Sequence, residues 1–452
     1  MVGMTLENVQ AHVLRPAHGA LTETSFGFVA LKDPEDPSLV RSLLRRLLDQ
    51  GDLISDAEAH SRGHRAGACH RHVAVGFTTK GLRKLGHAYR PDRVQRSLHE
   101  HDPFKQGMRA RADLLGDPPT DWPGQAWSGP DMLVWVATTG DAHEAGLDDL
   151  RAAWGDFEHH VERGSYPDRP VLGFLDGTSQ PFVSELMPSL ERLPGSGTVT
   201  RDGWRPVPLG EFVFGCADAG GERVLPAPAE ITEGGTFVVY RKYAFDMTAF
   251  EAVLTNGVDR GLGSKGDVAA KIMGRYQDED ARKVWPQGDY DAVIPPDRAN
   301  GREPSRNDFR YADDSYGYAC PLGAHIRRAN PRDALGFEGR LTERHRIIRR
   351  GVPWEEGGEK GLHFIAVNAR IHDQFELIQR QWLNTGSSFR LGDDIDLVAG
   401  SRSEGATDLP FVVQGPRPVV IRAPRPFARL VGGAYFLMPG IEGLRLLATE
   451  PG

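Results

Sequence analysis

Short apolar runs rich in β-branched and aromatic residues recur along the chain, and each is followed by turn residues and an amphipathic stretch. Such runs predict buried strands, whereas apolar residues spaced at i, i+3 and i+4 predict helices that pack through one face. Four strand–helix units stand out, two in each half of the chain, and a further strand is predicted at 72–77. The four strands lie at 26–31, 132–137, 236–240 and 362–367, and their helices at 38–50, 141–154, 246–254 and 372–382.

This arrangement predicts an α+β protein with two related domains, each with helices packed on a sheet. A chain of 452 residues is also too long for one ordinary core. The stretch at 188–208, rich in Gly, Pro and Ser, is the expected connection, and it gives domains at 1–200 and 201–452. The Pro-rich, charged loop at 277–314 is too long for an idle connection, so we expect it to pack near a site.

Charge and cysteine usage narrow the classes of function. The 62 acidic and 54 basic side chains give a net charge of -8, which gives no reason to expect nucleic acid. Cys69, Cys216 and Cys320 form no CxxC pair, which argues against a zinc site or disulfide framework and fits a reducing compartment. No apolar run approaches the ~18 residues that span a bilayer, and no signal-peptide pattern opens the sequence. The sequence therefore predicts a cytoplasmic protein with no membrane partner.

The first candidate site is the segment GFLDGTSQP, which presents Asp176. Gly173 and Gly177 flank this carboxylate and Pro181 follows closely, so the segment predicts a tight turn. An Asp in such a turn either caps its own backbone or projects a functional carboxylate.

The second candidate is His325, in CPLGAHIRRANPR. A single His is more often structural than a ligand, but Arg327, Arg328 and Arg332 lie close by. Arginines pair with carboxylates in a bidentate manner, so one His with several Arg suits the edge of a haem, which carries two propionates. The same set would suit a phosphate or a carboxylate substrate.

The third candidate is an arginine of HRIIRRGVPW, which holds Arg346, Arg349 and Arg350. In a strand, Arg349 shares a face with the apolar Ile347, whereas Arg346 and Arg350 fall on the opposite face. The alternative is a solvated surface arginine.

Taken together and in order, these segments resemble the dye-decolourising peroxidase family. GFLDG is similar to its GxxDG motif, CPLGAHIRRANPR to the segment of its proximal histidine, and IIRRGVPW to the segment of its distal arginine. The resemblance continues through GEFVFG, GTFVVYRKYAFD, AAKIMGR, GLHFIAVNA and GGAYFLMPG, and it covers about the last two thirds of the chain. Two departures are Leu175, where many members have a basic residue, and Gly351, where some place an Asn.

The resemblance implies a fold of two ferredoxin-like α+β domains with antiparallel sheets, in which haem b lies mainly in the C-terminal domain. It assigns the axial metal ligand to His325 and the carboxylate behind it to Asp396, with Asp394 as the alternative. Arg332 is implied as the propionate partner. The implied reaction is reduction of hydrogen peroxide coupled to oxidation of dyes, phenols or similar aromatic donors.

On the peroxide-binding face, the resemblance makes Asp176 the acid–base catalyst and Arg349 the group that stabilises charge as the O–O bond breaks. Leu362 and Phe364 match the apolar residues that limit access to this pocket. A bulky dye would then be oxidised at the surface through an aromatic relay. Trp382 is the first candidate relay, and a core tryptophan is the alternative.

Two other classes of function remain open from the sequence. A haem carrier or iron-releasing protein would need His325 but not Asp176. A binding module without cofactor could use the same α+β fold, because fold alone does not set function. A homo-oligomer is compatible with all three.

Overall fold

The structure is a computed structural model, and it describes most of the chain. The described residues are 6–15, 23–31, 37–63, 71–91, 102–117, 129–139, 148, 158–165, 171–174, 179–186, 193–277, 307–401 and 407–449.

Eight strands form one antiparallel sheet, and four shorter strands form two hairpins. The strands are β1 (Glu23–Ala30), β2 (Arg71–Phe77), β3 (Met132–Thr138), β4 (Glu158–Ser165), β5 (Thr198–Thr200), β6 (Gly203–Arg205), β7 (Thr236–Phe245), β8 (Ile348–Glu356), β9 (Glu359–Asn368), β10 (Leu409–Val413), β11 (Val419–Ala423) and β12 (Ala428–Met438). The order of the large sheet is β4-β1-β3-β2-β12-β7-β9-β8, and the hairpins are β5-β6 and β10-β11.

The order shows the same four-strand arrangement twice. In β4-β1-β3-β2 and again in β12-β7-β9-β8, the last strand lies beside the first and the third lies between the first and second. This is the strand order of a ferredoxin-like domain, so the predicted fold class is confirmed. The expectation of separate sheets is corrected, because Phe77 of β2 pairs with Leu437 of β12 and makes the two halves one sheet. The boundary at residue 200 stays a prediction.

Helices cover the sheet and the segments between strands. The α-helices span Ser38–Asp49, Asp56–Gly63, Thr79–Lys84, Pro103–Gln106, Ala112–Leu115, Ala229–Thr232, Met247–Asp259, Lys265–Met273, His325–Ala329, Arg340–Glu343 and Ile441–Ala448. Two π-helical segments span His372–Glu376 and Ile378–Leu383. Single 3-10 turns lie at Leu6–Asn8, Arg109–Arg111, Leu209–Glu211, Tyr311–Asp314, Phe337–Gly339 and Ser387–Phe389.

Most predicted elements are present close to their predicted bounds. The helix predicted at 246–254 starts one residue later because Asp246 is its N-cap, accepting a hydrogen bond from Ala249 N–H at 2.9 Å. The helix predicted at 372–382 is present but π-helical. The helix predicted at 141–154 falls, apart from Asp148, outside the described residues. No helix in the described ranges is long and apolar enough to cross a membrane.

The sheet curls until its two edge strands approach each other. A Cβ added to Gly164 of β4 would lie 2.6 Å from the carbonyl oxygen of Pro353 in β8, so only glycine permits this approach. His363 of β9 crosses the same junction, with its Nε2 2.9 Å from the carbonyl oxygen of Arg163. Buried side chains of the sheet strands and their helices form one large apolar core.

Candidate active site

His325 lies at the start of a short helix and is held by a buried carboxylate. Its Nδ1 is 3.1 Å from both carboxylate oxygens of Asp396. Asp396 also accepts hydrogen bonds from the backbone N–H groups of Val398 at 3.0 Å and Ala399 at 2.6 Å. These bonds hold the carboxylate in place beside the imidazole. Within the described ranges Nε2 of His325 has no hydrogen-bond partner. The imidazole therefore has one nitrogen oriented by the protein and the other available to a ligand.

The electrostatics of this pair favour an ionised carboxylate. Burial by itself would raise the pKa of Asp396, but the charge and hydrogen bond of His325, with Arg328 nearby, lower that pKa below its usual value. The sequence left Asp394 as an alternative partner. In the structure Asp396 contacts the imidazole, and the backbone carbonyl of Asp394 accepts a hydrogen bond from Arg328 at 3.1 Å.

The arginines after His325 divide into two groups. Arg327 pairs with Asp314 at 2.9 Å, and Arg328 donates to the carbonyl oxygens of Trp382 and Asp394, so both hold the local fold. Arg332 has no carboxylate partner among the described residues. Its guanidinium donates to the carbonyl oxygens of Asn307 and Phe309 at 3.0 and 2.6 Å and to Oδ1 of Asn307 at 2.9 Å.

Arg332 belongs to a cluster of buried positive charges. Burial, together with the charges of Arg275 and Arg346, lowers the pKa of Arg332 to about 9. Burial and the charge of Arg349 lower the pKa of Arg346 to about 10. Such a cluster is stabilised by a negative group brought close to it, so the electrostatics favour an anion at this position.

The other described candidate residues lie on one face of β8 and β9. Register pairs Arg349 with Ala366, Gly351 with Phe364 and Pro353 with Leu362. Because paired residues of an antiparallel ladder share a face, Arg349, Leu362 and Phe364 all project from this one. The ring of Phe364 lies 6.4 Å from those of Tyr243 and Phe375, which gives the face an apolar floor.

The side chains of the two neighbouring arginines donate to backbone carbonyl oxygens. Arg350 is buried on the other face and donates to the carbonyl oxygens of Leu14 and Arg349. Arg346 precedes β8 and donates to the carbonyl oxygens of Gly197 and Ser196 at 2.9 and 3.0 Å.

Asp176 and Leu175 lie outside the described residues, but the end of their segment is described. Gln180 bonds to the backbone of Arg349 through both its amide nitrogen and its amide oxygen. Ser179 donates to Oδ1 of Asn307 at 2.5 Å and accepts from Arg275 at 2.7 Å. The GFLDGTSQP segment is thus tied to both the strand of Arg349 and the arginine cluster.

Four residues that hold these segments together were not named as site residues from the sequence. They are Ser179, Gln180, Arg275 and Asn307. Ser179 and Gln180 belong to the quoted turn motif, and Asn307 to the loop expected to pack near a site, so two signals were available. Arg275 ends the AAKIMGR segment that carries part of the resemblance, but nothing in that segment assigned it a role. For Trp382, the structure supports the alternative of a core residue, since its side chain is 3% exposed.

Comparison with known proteins identifies the fold and shows which proteins this chain is similar to. The profile described as "Dyp-type peroxidase, C-terminal" matches residues 218–401. Dye-decolorizing peroxidase msp1 of Mycetinis scorodonius is 28% identical over 418 residues, which are 83% of this chain and 76% of msp1. Multifunctional dye peroxidase DyP2 of Amycolatopsis sp. is 26% identical over 449 residues, 87% of this chain and 85% of DyP2.

Solved structures agree. The Anabaena sp. DyP-type peroxidase superposes with a TM-score of 0.75 at 19% identity, covering 97% of this chain and 94% of that one. An ancestral D-type dye-decolorizing peroxidase superposes with a TM-score of 0.77 at 21% identity, covering 99% of this chain and 100% of that one. The fold is therefore that of the DyP-type peroxidases. The chain is thus similar to dye-decolourising peroxidases both in its C-terminal profile match and in these two relatives.

Proposed function

We propose that this protein is a haem-dependent peroxidase that reduces hydrogen peroxide and oxidises dyes, phenols and similar one-electron donors. The observation that carries the proposal is the His325–Asp396 pair, with Nδ1 held at 3.1 Å by a buried, ionised carboxylate. A carboxylate behind an imidazole fixes the tautomer and makes the other nitrogen a stronger metal ligand.

The residues present fit haem b. His325 would hold the iron through Nε2, and Arg332 would hold a propionate, because its buried guanidinium lacks a carboxylate partner in the described ranges and its pKa is lowered by neighbouring cations. A propionate near this cluster would compensate those charges. Bound haem supplies the redox chemistry by which peroxide is reduced and two oxidising equivalents are retained.

The protein's own residues would manage protons and access. Asp176 would take the proton from the inner peroxide oxygen and return it to the leaving oxygen, so that water departs. Arg349 would stabilise negative charge that develops as the O–O bond lengthens. Leu362 and Phe364 project from the same face as Arg349 and would limit the pocket to small molecules such as peroxide.

His325→Ala tests the axial ligand. We expect it to lose most of its haem, and the measurement is the Soret absorbance per chain after expression with ample haem. His372→Ala, which removes a partly exposed imidazole paired with Asp373, is the matched control. Wild-type occupancy and unchanged iron ligation in His325→Ala would contradict the proposal.

Asp396→Asn tests the carboxylate without removing the ligand. A neutral amide accepts the Nδ1–H bond less strongly than a carboxylate, so the imidazole becomes a weaker electron donor; we expect a higher reduction potential and haem affinity weakened by about 10–100-fold. Asp394→Asn is the control at a neighbouring position. Haem retention without peroxide turnover in the wild type would favour the carrier alternative.

The cytoplasmic location and a homo-oligomer stay predictions.

A further inference from the structure

The carboxylate that holds His325 lies on a loop, residues 396–401, that packs against the second π-helical segment. The backbone N–H of Asp396 donates to the carbonyl oxygen of Leu383 at 2.8 Å, which ties the start of the loop to that segment. Gly400 lies so close to the carbonyl oxygen of Asp396 that a Cβ there would overlap it. The position of the carboxylate beside His325 therefore depends on how this tight loop is held.

A buried amide, that of Gln379, joins the π-helical segment to the loop. Its Nε2 donates to the carbonyl oxygen of Ala399 at 2.9 Å and to Oδ1 of Asn384 at 2.8 Å. The backbone N–H of Ala399 donates in turn to the carboxylate of Asp396 at 2.6 Å. Oδ1 of Asn384 also accepts the backbone N–H of Ser401 at 2.8 Å. Gln379 thus holds the loop at Ala399 directly and at Ser401 through Asn384.

The π-helical backbone brings these two amides together. The backbone N–H of Asn384 donates to the carbonyl oxygen of Gln379 at 2.9 Å, a step of five residues. An α-helix joins residues four apart, so it would place Leu383 rather than Asn384 next to Gln379. The contact between the side chains of Gln379 and Asn384 therefore depends on the wider turn, and such turns are frequent at functional sites.

A buried ion pair fixes the other end of the Gln379 amide. Its Oε1 accepts a hydrogen bond from Arg241 at 3.0 Å, and another terminal nitrogen of Arg241 lies 2.5 Å from Asp117. The side chains of Arg241 and Gln379 are both buried. Both N–H groups and the carbonyl oxygen of the amide thus have partners, so the side chain has one defined orientation, with its NH₂ group toward the loop.

We infer that Gln379 is a positioning residue for the axial ligand, which holds the 396–401 loop so that Asp396 stays within hydrogen-bond distance of His325. A firmly held carboxylate strengthens the hydrogen bond from Nδ1–H and makes the imidazole a better electron donor to a bound metal. Gln379 therefore adjusts the iron–histidine bond without contacting His325. The inference rests on the proposed function, which supplies the haem.

The test replaces Gln379 by Met, which is similar in size but can make none of the three hydrogen bonds. Two quantities are measured on haem-loaded protein: the iron–histidine stretching frequency of the ferrous form, by resonance Raman spectroscopy, and the reduction potential. A looser carboxylate weakens the Nδ1–H bond, so we expect the frequency to fall and the potential to rise. Both shifts should have the same sign as in Asp396→Asn and be smaller. The peroxide reaction should slow by up to about tenfold.

Gln374→Met is the matched control, because it removes another buried amide from the π-helical region. The amide of Gln374 donates to the backbone carbonyl oxygens of Glu211 and Arg346, which lie outside the loop. This variant should lower the free energy of unfolding and leave the iron–histidine frequency at its wild-type value. Equal frequency shifts in Gln374→Met and Gln379→Met would overturn the inference, because they would indicate a general loosening of the region.

Combining Gln379→Met with Asp396→Asn shows whether the effect passes through Asp396. If it does, Gln379→Met should cause a much smaller further shift of the frequency in the Asp396→Asn background than in the wild type. Fully additive shifts would overturn the inference. If Gln379→Met yields too little folded protein, Asn384→Ala removes the bond to Ser401 and should also lower the frequency.

An unchanged frequency and potential in both Gln379→Met and Asn384→Ala would overturn the inference and leave the proposed function intact. An iron–histidine band that persists unchanged in His325→Ala would instead contradict the axial ligand on which the proposed function depends.

Discussion

The side-chain amide of Gln180 pairs with the backbone of Arg349 in both directions. Nε2 donates to the carbonyl oxygen at 3.0 Å, and the N–H of Arg349 donates to Oε1 at 3.1 Å. The two residues are 169 positions apart, so this amide joins the segment of the candidate acid–base residue to the strand of the candidate distal arginine. Under the proposed function, Gln180 is therefore a positioning residue that links the segments of Asp176 and Arg349.

Replacing Gln180 by Leu should slow the reaction with peroxide by on the order of tenfold, because small displacements of catalytic groups reduce rates steeply. Haem content should stay normal. The measurement is stopped-flow formation of the first oxidised species at matched haem occupancy, with Gln50→Leu as an exposed control. Slower dye oxidation with an unchanged peroxide step would assign Gln180 a different role.

Arg349→Leu should slow the peroxide reaction by about 10²-fold or more, as expected for loss of one preorganised charge-stabilising donor. Arg350→Leu is the matched comparison, since its guanidinium is buried on the opposite face and bonds to backbone carbonyls. It should lower the free energy of unfolding and leave the peroxide step nearly unchanged. If Arg350→Leu were the slow variant, the assignment would be off by one residue.

The pH dependence of the peroxide step tests Asp176. A carboxylate has a reference pKa of about 4, against about 6.5 for imidazole, so a carboxylate catalyst keeps its basic form at lower pH than an imidazole would. The basic form therefore persists in acid, and we predict fast peroxide reaction and an acidic optimum for dye oxidation. Asp176→Asn should lose most turnover. A pH profile that Asp176→Asn leaves unchanged would show that another group moves the proton.

Glu211 should make stability depend on pH. Burial is the largest influence on this carboxyl and raises its pKa to about 7. The hydrogen bond that it accepts from the backbone N–H of Ala219, at 3.0 Å, acts in the opposite direction but is a smaller influence. As pH rises from about 4.5 to 7, the unfolded chain loses this proton before the folded one does. The free energy of unfolding therefore falls by about 3 kcal/mol across that range. Glu211→Gln should remove that loss.

The measurement is the urea unfolding free energy of wild type and Glu211→Gln at pH 5 and pH 8. The variant should gain relative to wild type at the higher pH. Glu233→Gln changes an exposed carboxyl and serves as the control. An equal difference between Glu211→Gln and wild type at both pH values would mean that Glu211 is ionised throughout.

Local elements and the face of Arg349 could be predicted from sequence because both follow from periodicity. The strand at 362–367 and the helix after Asp246 are local patterns, and the alternation around Arg349 needs only its neighbours. The approach of Asp396 to His325 spans 71 residues, and the resemblance supplied it rather than any local signal.

The remaining features depend on long-range contacts that leave no local pattern. Nothing near Phe77 indicates that it will pair with Leu437 and merge the two sheets. The burial of Trp382 depends on packing against His345 and the side chains of a separate cluster. Arg275 and Asn307 are 32 positions apart, and a sequence period of two or 3.6 residues does not report their contact.

The position of β12 has a consequence for how the protein is made. This strand, Ala428–Met438, comes near the end of the chain but lies in the middle of the sheet, between β2 and β7. Until the ribosome releases it, both of those strands keep an open edge that can pair with other chains. The two halves of the sheet can therefore join only after β12 has been synthesised, and nascent chains should expose these two edges until then.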